Sequence, residues 1–191
     1  MKNAKKALLL VLCAVLLVAA SVAGTLAYLT SQDTVTNTFT VGQVSITMDE
    51  SKVNVYGVKI NDANPVKENT YKLIPGHTYT KDPTIHVQAN SEACWLFVKI
   101  ENGNTNATIN GLNTKGWTQI EGTNYWAYKG ATVGAGTDVT VFDSFTYNAN
   151  VSDTNSDAAT QIVVTAYAIQ ADGFATSDLA WTALSTQLGL Q

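Results

Sequence analysis

Apolar and polar residues alternate along much of the chain, and this period of two predicts β-strands. The alternation begins at Val35–Val41 and shifts by one position after Gly42. Beyond that glycine the apolar set is Val44, Ile46 and Met48. A one-residue shift at a glycine is typical of a β-bulge or of a bend between two strands. The pattern therefore predicts an extended arm that leads into the first strand of a folded domain.

Two longer apolar runs predict strands in the interior of the fold. In Ala93–Glu101 one face carries Cys94, Leu96, Val98 and Ile100, and the other carries Trp95 and Phe97. Gln161–Ile169 is nearly continuous in apolar residues, so we expect it to be a central strand. Weaker strands are predicted at 53–56, 58–60, 77–81, 84–89, 107–109, 117–120, 124–129 and 139–147. Short strands separated by turn signals predict an all-β fold, a two-sheet antiparallel jelly-roll sandwich.

A short helix is predicted at the end of the chain. Trp181, Leu184 and Leu188 recur at the spacing of one helical face. Ser177 suits the N-terminal cap and Gly189 suits the C-terminal stop. We therefore expect an amphipathic helix over Asp178–Leu188 that packs on the sandwich.

The first residues have the composition of an export signal. Three lysines lie within the first six residues, and the apolar run Ala7–Ala20 and several small residues follow. The run is shorter than the roughly 20 residues of a membrane span, although an uncleaved anchor reaching Ala27 is the alternative. We predict a signal peptide over residues 1–27, cleaved between Ala27 and Tyr28. An arm over residues 28–42 and a domain over residues 43–191 follow it.

Cleavage would change the charge of the chain. The mature chain keeps 8 lysines and all 15 acids, a net charge of −7, and it contains no arginine. This excludes a nucleic-acid binder, which uses a basic patch with arginine. The 26 threonines favour β-structure. Cys94 is the one cysteine left, so no intramolecular disulfide forms, and we expect a buried thiol.

Candidate chemistry is sparse in this sequence. It lacks the zinc-peptidase, nucleophile-elbow, phosphate-loop and dinucleotide motifs, so we expect no catalysis and no cofactor. His77 and His86 with Asp82 between them are a possible metal set, which would make the chain a secreted metallopeptidase. An aromatic group is a possible carbohydrate- or protein-binding face, with a packed core as the competing interpretation. Its members are Trp117, Tyr125, Trp126 and Tyr128.

The arm is the most unusual feature of the chain. It is rich in threonine, free of proline, and places Val35, Phe39 and Val41 at odd positions, which share one face. A free extended segment of this kind suits addition to the sheet edge of a neighbouring subunit. Addition from head to tail does not close into a ring, so it would produce a filament.

Several blocks of the sequence resemble the TasA/CalY (camelysin) family of exported proteins of Gram-positive bacteria. The first runs from Gly24 to Thr30 and continues at Asn37–Val44. Others are Leu73–Gly76, Lys81–Ile85, Cys94–Lys99, Thr165–Phe174 and Ala180-Trp181. The likeness covers nearly the whole chain.

The resemblance implies a role in extracellular biofilm matrix fibres. It implies processing by a SipW-type signal peptidase, a jelly-roll domain, and completion of each subunit by the N-terminal strand of the next. Its partners would be copies of itself and an accessory matrix or anchoring protein, with membrane contact only through the signal peptide. Some members of the family carry a metallopeptidase label, but this chain has no zinc-peptidase motif onto which catalytic residues could be placed.

Overall fold

A computed structural model describes residues 2–29, 42–129, 131–151 and 161–190. The chain divides into two compact units, Met1–Thr40 and Val41–Gln191. The predicted arm residues Val35, Phe39 and Val41 lie outside the described residues. The elements are α1 Lys2–Leu29, β1 Ile46–Asp49, β2 Thr78–Thr80, β3 Thr84–Val87, β4 Cys94–Asn102, β5 Ala107–Asn110, a 3-10 helix Asn113–Lys115, β6 Trp117–Gln119, β7 Tyr125–Tyr128, β8 Asp138–Thr140, β9 Ser144–Tyr147, β10 Ile162–Gln170 and α2 Ser177–Leu188.

The first unit contains the helix α1, which covers the predicted signal segment. It is 28 residues long, and the predicted cleavage bond Ala27–Tyr28 lies in its last turn. Its large apolar side chains from Leu8 to Val18 are exposed. Among the described residues, no helix combines the length with the apolar character that crossing a membrane requires.

The second unit is built from antiparallel sheets, as the sequence predicts. A three-stranded sheet has the order β1-β3-β8, a four-stranded sheet the order β10-β4-β7-β6, and a further three-stranded sheet the order β2-β9-β5. The expectation of two sheets is therefore wrong in number, because the described residues form three.

The two three-stranded sheets share one register. Thr80 pairs with Ser144 and Thr84 pairs with Thr140, so equal numbers of residues separate the two pairs on each strand. Between them Lys81 N donates to Asp143 O, and Val141 N donates to Pro83 O. Proline has no N–H to return the second of these bonds. The ladder is interrupted at Pro83 for that reason, and one sheet becomes two.

The main core lies between the β1-β3-β8 sheet and the four-stranded sheet. Its buried residues are Ile85, Val87, Cys94, Leu96, Val98, Ile100, Trp117, Val133, Val139, Val141 and Phe142. The opposite face of β4 carries Trp95 and Phe97, which pack against Ala180 and Leu184 of α2. The predicted division of this strand into two apolar faces is confirmed. The predicted terminal helix is confirmed as well, although its N-terminal cap is Thr176 rather than Ser177.

Two other predictions are wrong. Among the described residues β10 pairs only with β4, so it is an edge strand rather than a central one. Its apolar run has another cause, because Tyr167 and Ile169 on its outer face pack into the cluster beneath α2. The segment predicted as strands at 53–60 contains only the isolated bridge Val53–Lys59.

Candidate functional site: the seam between β1 and β10

The β1-β3-β8 sheet and the four-stranded sheet are joined by a hydrogen bond along one side of the main core, and their other edges lie on the opposite side. On the joined side, the indole Nε1 of Trp117 in β6 donates a 3.1 Å hydrogen bond to the carbonyl of Thr140 in β8. These are edge strands of the two sheets, so β1 and β10 are the edges on the opposite side. We call this boundary the seam.

Apolar side chains from both edge strands line the seam and point into the main core. Each is only partly buried, although it packs against buried core residues. The seam residues are Val44, Ile46 and Met48 on the β1 side and Ile162, Val164, Ala166 and Ala168 on β10. Among the described residues no strand pairs with the outer edge of β10 over its nine residues. The seam is therefore an apolar groove bordered by a long free edge.

The arm enters the described fold at one end of the seam. A Cβ built on Gly42 would lie 3.1 Å from Cγ of Glu92 and 3.7 Å from Oε1 of Gln170, the last residue of β10. Beyond Gly42 the chain is anchored, because Glu92 N donates to Gln43 O and Gln88 N donates to Ser45 O. Gly42, the last residue of the predicted arm, therefore lies beside the Gln170 end of β10.

A cleft of about 590 Å³ opens at the other end of the seam. Met48 on the β1 side and Ile162, Val163 and Val164 of β10 line it, together with Leu73. The segment around Lys67 closes part of the β1 edge here. Glu50 exchanges backbone hydrogen bonds with Val66, and Lys67 Nζ donates to Met48 O. The edge of β10 is the part of the seam that stays free among the described residues.

A buried ion pair forms the polar wall of the cleft. Glu50 is 4% exposed, and its Oε2 lies 2.8 Å from Nζ of Lys81. The other carboxylate oxygen accepts a hydrogen bond from the amide of Asn69. Burial raises the pKa of the nearby Tyr71 phenol, and the charges of Glu50 and Asp82 add to that effect. Both carboxylate oxygens of Glu50 have partners within this wall. The apolar part of the cleft is the side that faces β10.

His86 links all three strands of the β1-β3-β8 sheet. Its Nδ1 lies 2.7 Å from Oδ1 of Asp138 in β8, and its Nε2 lies 3.1 Å from Oδ1 of Asp49 in β1. A neutral imidazole has one N–H and would leave one carboxylate without a donor, whereas the imidazolium satisfies both. Desolvation opposes that charge, but the hydrogen bonds that the ring donates to Asp138 and Asp49 outweigh it and raise the pKa of His86 from its ordinary value.

This arrangement predicts a pH-dependent contribution to stability. Because the pKa of His86 is raised on folding, the contribution is complete below its ordinary value of 6.5 and is lost as the pH rises through the higher folded value. Asp49 and Asp138 are the charged groups that contact the ring among the described residues. Urea unfolding between about pH 5 and pH 9 should show this decline in the native chain and not in His86→Gln. Parallel curves for the two proteins would contradict it.

The possible metal set of His77, Asp82 and His86 is not assembled. His77 Nε2 lies 3.0 Å from the carbonyl of Tyr56, and its ring packs on Tyr79. The carboxylate of Asp82 accepts hydrogen bonds from Ser51 and Lys59. Desolvation opposes its charge, yet these hydrogen bonds keep the pKa of Asp82 below its ordinary value. With His86 held by its own carboxylates, the three residues have separate partners. The described part of the chain has no group of three or more ligating side chains placed for a metal ion.

The aromatic group lies in the cores rather than on one open face. Trp117 is 1% exposed and Tyr125 is 3% exposed. Trp126 and Tyr128 are partly buried against the main core, on the same face of β7. The ring centroids of Tyr128 and Trp117 are 5.3 Å apart. Tyr125 projects to the other face and lies 4.8 Å from Trp181 of α2. The group is divided between two packed faces, and the competing interpretation as core is the one that the packing favours.

The Cys94 thiol is fully buried, as predicted. Burial raises its pKa to about 11, so it stays protonated at neutral pH. The thiolate is the nucleophile in disulfide exchange. The side chain therefore acts as a small apolar group of the core.

Sequence reasoning missed the Glu50–Lys81 pair, although a signal was present. Glu50 continues the alternation of Val44, Ile46 and Met48, so it points inward and needs a partner. The seam itself had no such signal, because it depends on which strands end up at sheet edges. Comparisons of the chain with protein-family models, with curated proteins and with solved structures found no match. The functional argument therefore rests on the residues and contacts of this chain.

Proposed function

We propose that this chain is an exported structural subunit that assembles head to tail into extracellular matrix or cell-surface fibres. In this proposal the N-terminal arm of one copy pairs with the free edge of β10 in the next copy. The single observation that carries it is the seam, a nine-residue edge strand beside a half-covered apolar groove. Gly42, the last residue of the arm, lies at the end of that same strand.

The arm and the groove are complementary in pattern. A strand added to β10 would direct every second side chain toward the core between the sheets. Val35, Phe39 and Val41 are the apolar positions of one arm face, and threonines occupy the other. Main-chain hydrogen bonds to β10 would supply affinity, and the apolar face would cover Val164, Ala166 and Ala168.

The proposal includes the finer fold expected from the sequence. We treat the two three-stranded sheets as one layer bent at Pro83, because they share one register. This layer and the four-stranded sheet would be the two layers of a jelly roll that the arm of another copy completes. Export would release the arm by cleavage near Tyr28.

Truncation of the arm tests the proposal. Purified protein beginning at Tyr28 should form fibres by electron microscopy, and protein beginning at Gly42 should stay monomeric, because it can accept a strand but cannot donate one. Val35→Asp with Phe39→Asp should also prevent assembly. Thr36→Asp with Thr38→Asp is the matched control on the other face of the arm and should leave fibres intact. Fibres formed equally well from the Gly42 protein would refute the proposal.

A further inference from the structure

A patch of exposed apolar side chains lies beside the cleft end of the seam. Val58 is 60% exposed, and the others are between 38% and 45% exposed. The patch consists of Val55, Tyr56, Val58, Ile60, Leu73 and Ile74. Six large apolar side chains on two adjoining segments form a larger surface than the isolated apolar residues that are usual on proteins.

Specific hydrogen bonds hold the patch in place. The side chain of Asn54 accepts from the backbone N–H groups of Tyr56 and Val58, which fixes the turn. Lys72 N donates to Val55 O and joins the turn to the second segment. Leu73 of that segment also lines the cleft with Ile162 and Val163 of β10. The patch is therefore a built surface next to the Ile162 end of the seam.

Positive charge is concentrated around this patch. Residues 50–82 contain five lysines and four acids, a local net charge of +1, although the whole chain has a net charge of −4. Two of those lysines are in ion pairs and a third binds Met48 O. Lys52 and Lys72 are exposed, with no ion pair to any described residue. The exposed acids of the segment, Asp62 and Glu68, lie on the loop between the two parts of the patch, whereas Lys52 and Lys72 adjoin its apolar side chains in sequence.

The opposite end of the seam is acidic. Glu92 lies next to Gly42, and Asp172 follows Gln170, whose side-chain amide donates to its carbonyl. Both acids are exposed, and neither is in an ion pair with a described residue. The nine residues of β10 separate the two ends by about 25–30 Å.

The position of the arm's origin determines how copies would meet. An incoming arm parallel to β10 would place the donor's body at the Gln170 end, where the acceptor's own arm departs. An antiparallel arm would place the donor's folded domain at the Ile162 end, away from the point where the acceptor's own arm leaves its domain. Antiparallel pairing is also slightly more stable per residue. The donor's Gly42, with Glu92 and Asp172 beside it, would then approach the acceptor's patch.

We propose that the patch with Lys52 and Lys72 is the docking surface for the acidic Glu92–Asp172 end of the next copy. This inference rests on the proposed strand addition and assigns it a direction. The apolar side chains would be covered by the neighbouring body, and the opposite charges would speed and orient the encounter.

Charge reversal tests the docking surface in the protein that begins at Tyr28. Lys72→Glu should slow fibre elongation by about tenfold or more at low ionic strength, and salt should reduce the difference. Lys129→Glu is the matched control, because Lys129 is exposed at the end of β7, away from β10, and it should stay within about twofold of the native rate. Adding Asp172→Lys to Lys72→Glu should restore elongation, whereas adding Glu121→Lys should not.

A peptide of residues 28–41 separates this inference from the proposed function. The peptide should bind the Gly42 protein equally with and without Lys72→Glu, because it carries no body to dock. Normal elongation of Lys72→Glu together with peptide binding would overturn the docking surface and leave strand addition standing. No peptide binding to the native Gly42 protein would overturn strand addition itself. If Lys72→Glu elongated normally but no longer sedimented with phosphatidylglycerol vesicles that bind the native protein, the patch would be assigned to an anionic lipid surface and the inference would be overturned.

Discussion

Ala166→Glu in β10 is expected to abolish fibre formation, whereas Thr165→Glu on the same strand should leave it nearly unchanged. Ala166 pairs with Val98 and points into the core, where it is partly buried. Thr165 pairs with Lys99 and is exposed on the other face. A donated strand would enclose a carboxylate at position 166 without a partner, which costs several kcal/mol. At position 165 the carboxylate would remain in water near a lysine.

Two measurements separate an effect on assembly from an effect on folding. Fibre mass by sedimentation should fall to background for Ala166→Glu and stay near the native level for Thr165→Glu. Thermal unfolding of the Gly42 forms should show that both variants fold, because the seam of an isolated subunit is partly open to water. Fibres of native yield from a folded Ala166→Glu protein would show that β10 does not receive the arm.

Lys81→Met should destabilise the domain by about 3–5 kcal/mol, because it leaves the carboxylate of Glu50 buried without its cation. Glu50 is 4% exposed and the side chain of Lys81 is 13% exposed. Lys59→Met is the matched control, since the Lys59 side chain is 55% exposed in its pair with Asp82. An exposed pair contributes about 0–1 kcal/mol, so this variant should lie close to the native protein.

Urea unfolding of the Gly42 forms at neutral pH measures both changes. Adding Glu50→Gln to Lys81→Met should recover most of the lost stability, because a neutral amide has a far smaller desolvation cost than a carboxylate. Equal losses from Lys81→Met and Lys59→Met would contradict the assignment of Glu50 and Lys81 as a buried pair at the cleft. The contrast does not depend on assembly, because the Gly42 form has no arm to donate.

Local sequence patterns predicted the strand and the helix whose buried faces can be recognised from their own residues. The apolar run Cys94–Ile100 divides into two faces, and each face has a packed layer against it. The terminal helix follows from the spacing of Trp181, Leu184 and Leu188, and Gly189 at φ 63° ends it as expected. These signals are reliable because the spacing of apolar residues on one face of a strand or helix depends only on residues that are close in sequence.

The errors arose where the role of a residue depends on distant parts of the chain. The apolar run of β10 resembled a central strand, but half of its outer face is covered by the helix that follows. The alternation at 53–60 predicted a strand, yet the segment forms only the isolated bridge Val53–Lys59, and its apolar side chains from Val55 to Ile60 remain exposed. His86 is a possible metal ligand by residue type, but the strand register places Asp49 and Asp138 at its two ring nitrogens.

The sequence by itself determined the all-β class, the inward faces of β1 and β4, the terminal helix and the buried thiol of Cys94, because each follows from local periodicity or composition. Only the tertiary structure decided that β1 and β10 are neighbouring edges, that the two histidines have separate partners, and that Glu50 pairs with Lys81. Those facts depend on strand order and on contacts between residues far apart in the chain. Periodicity shows which face of a strand is buried, but it carries no information on which strand lies beside it.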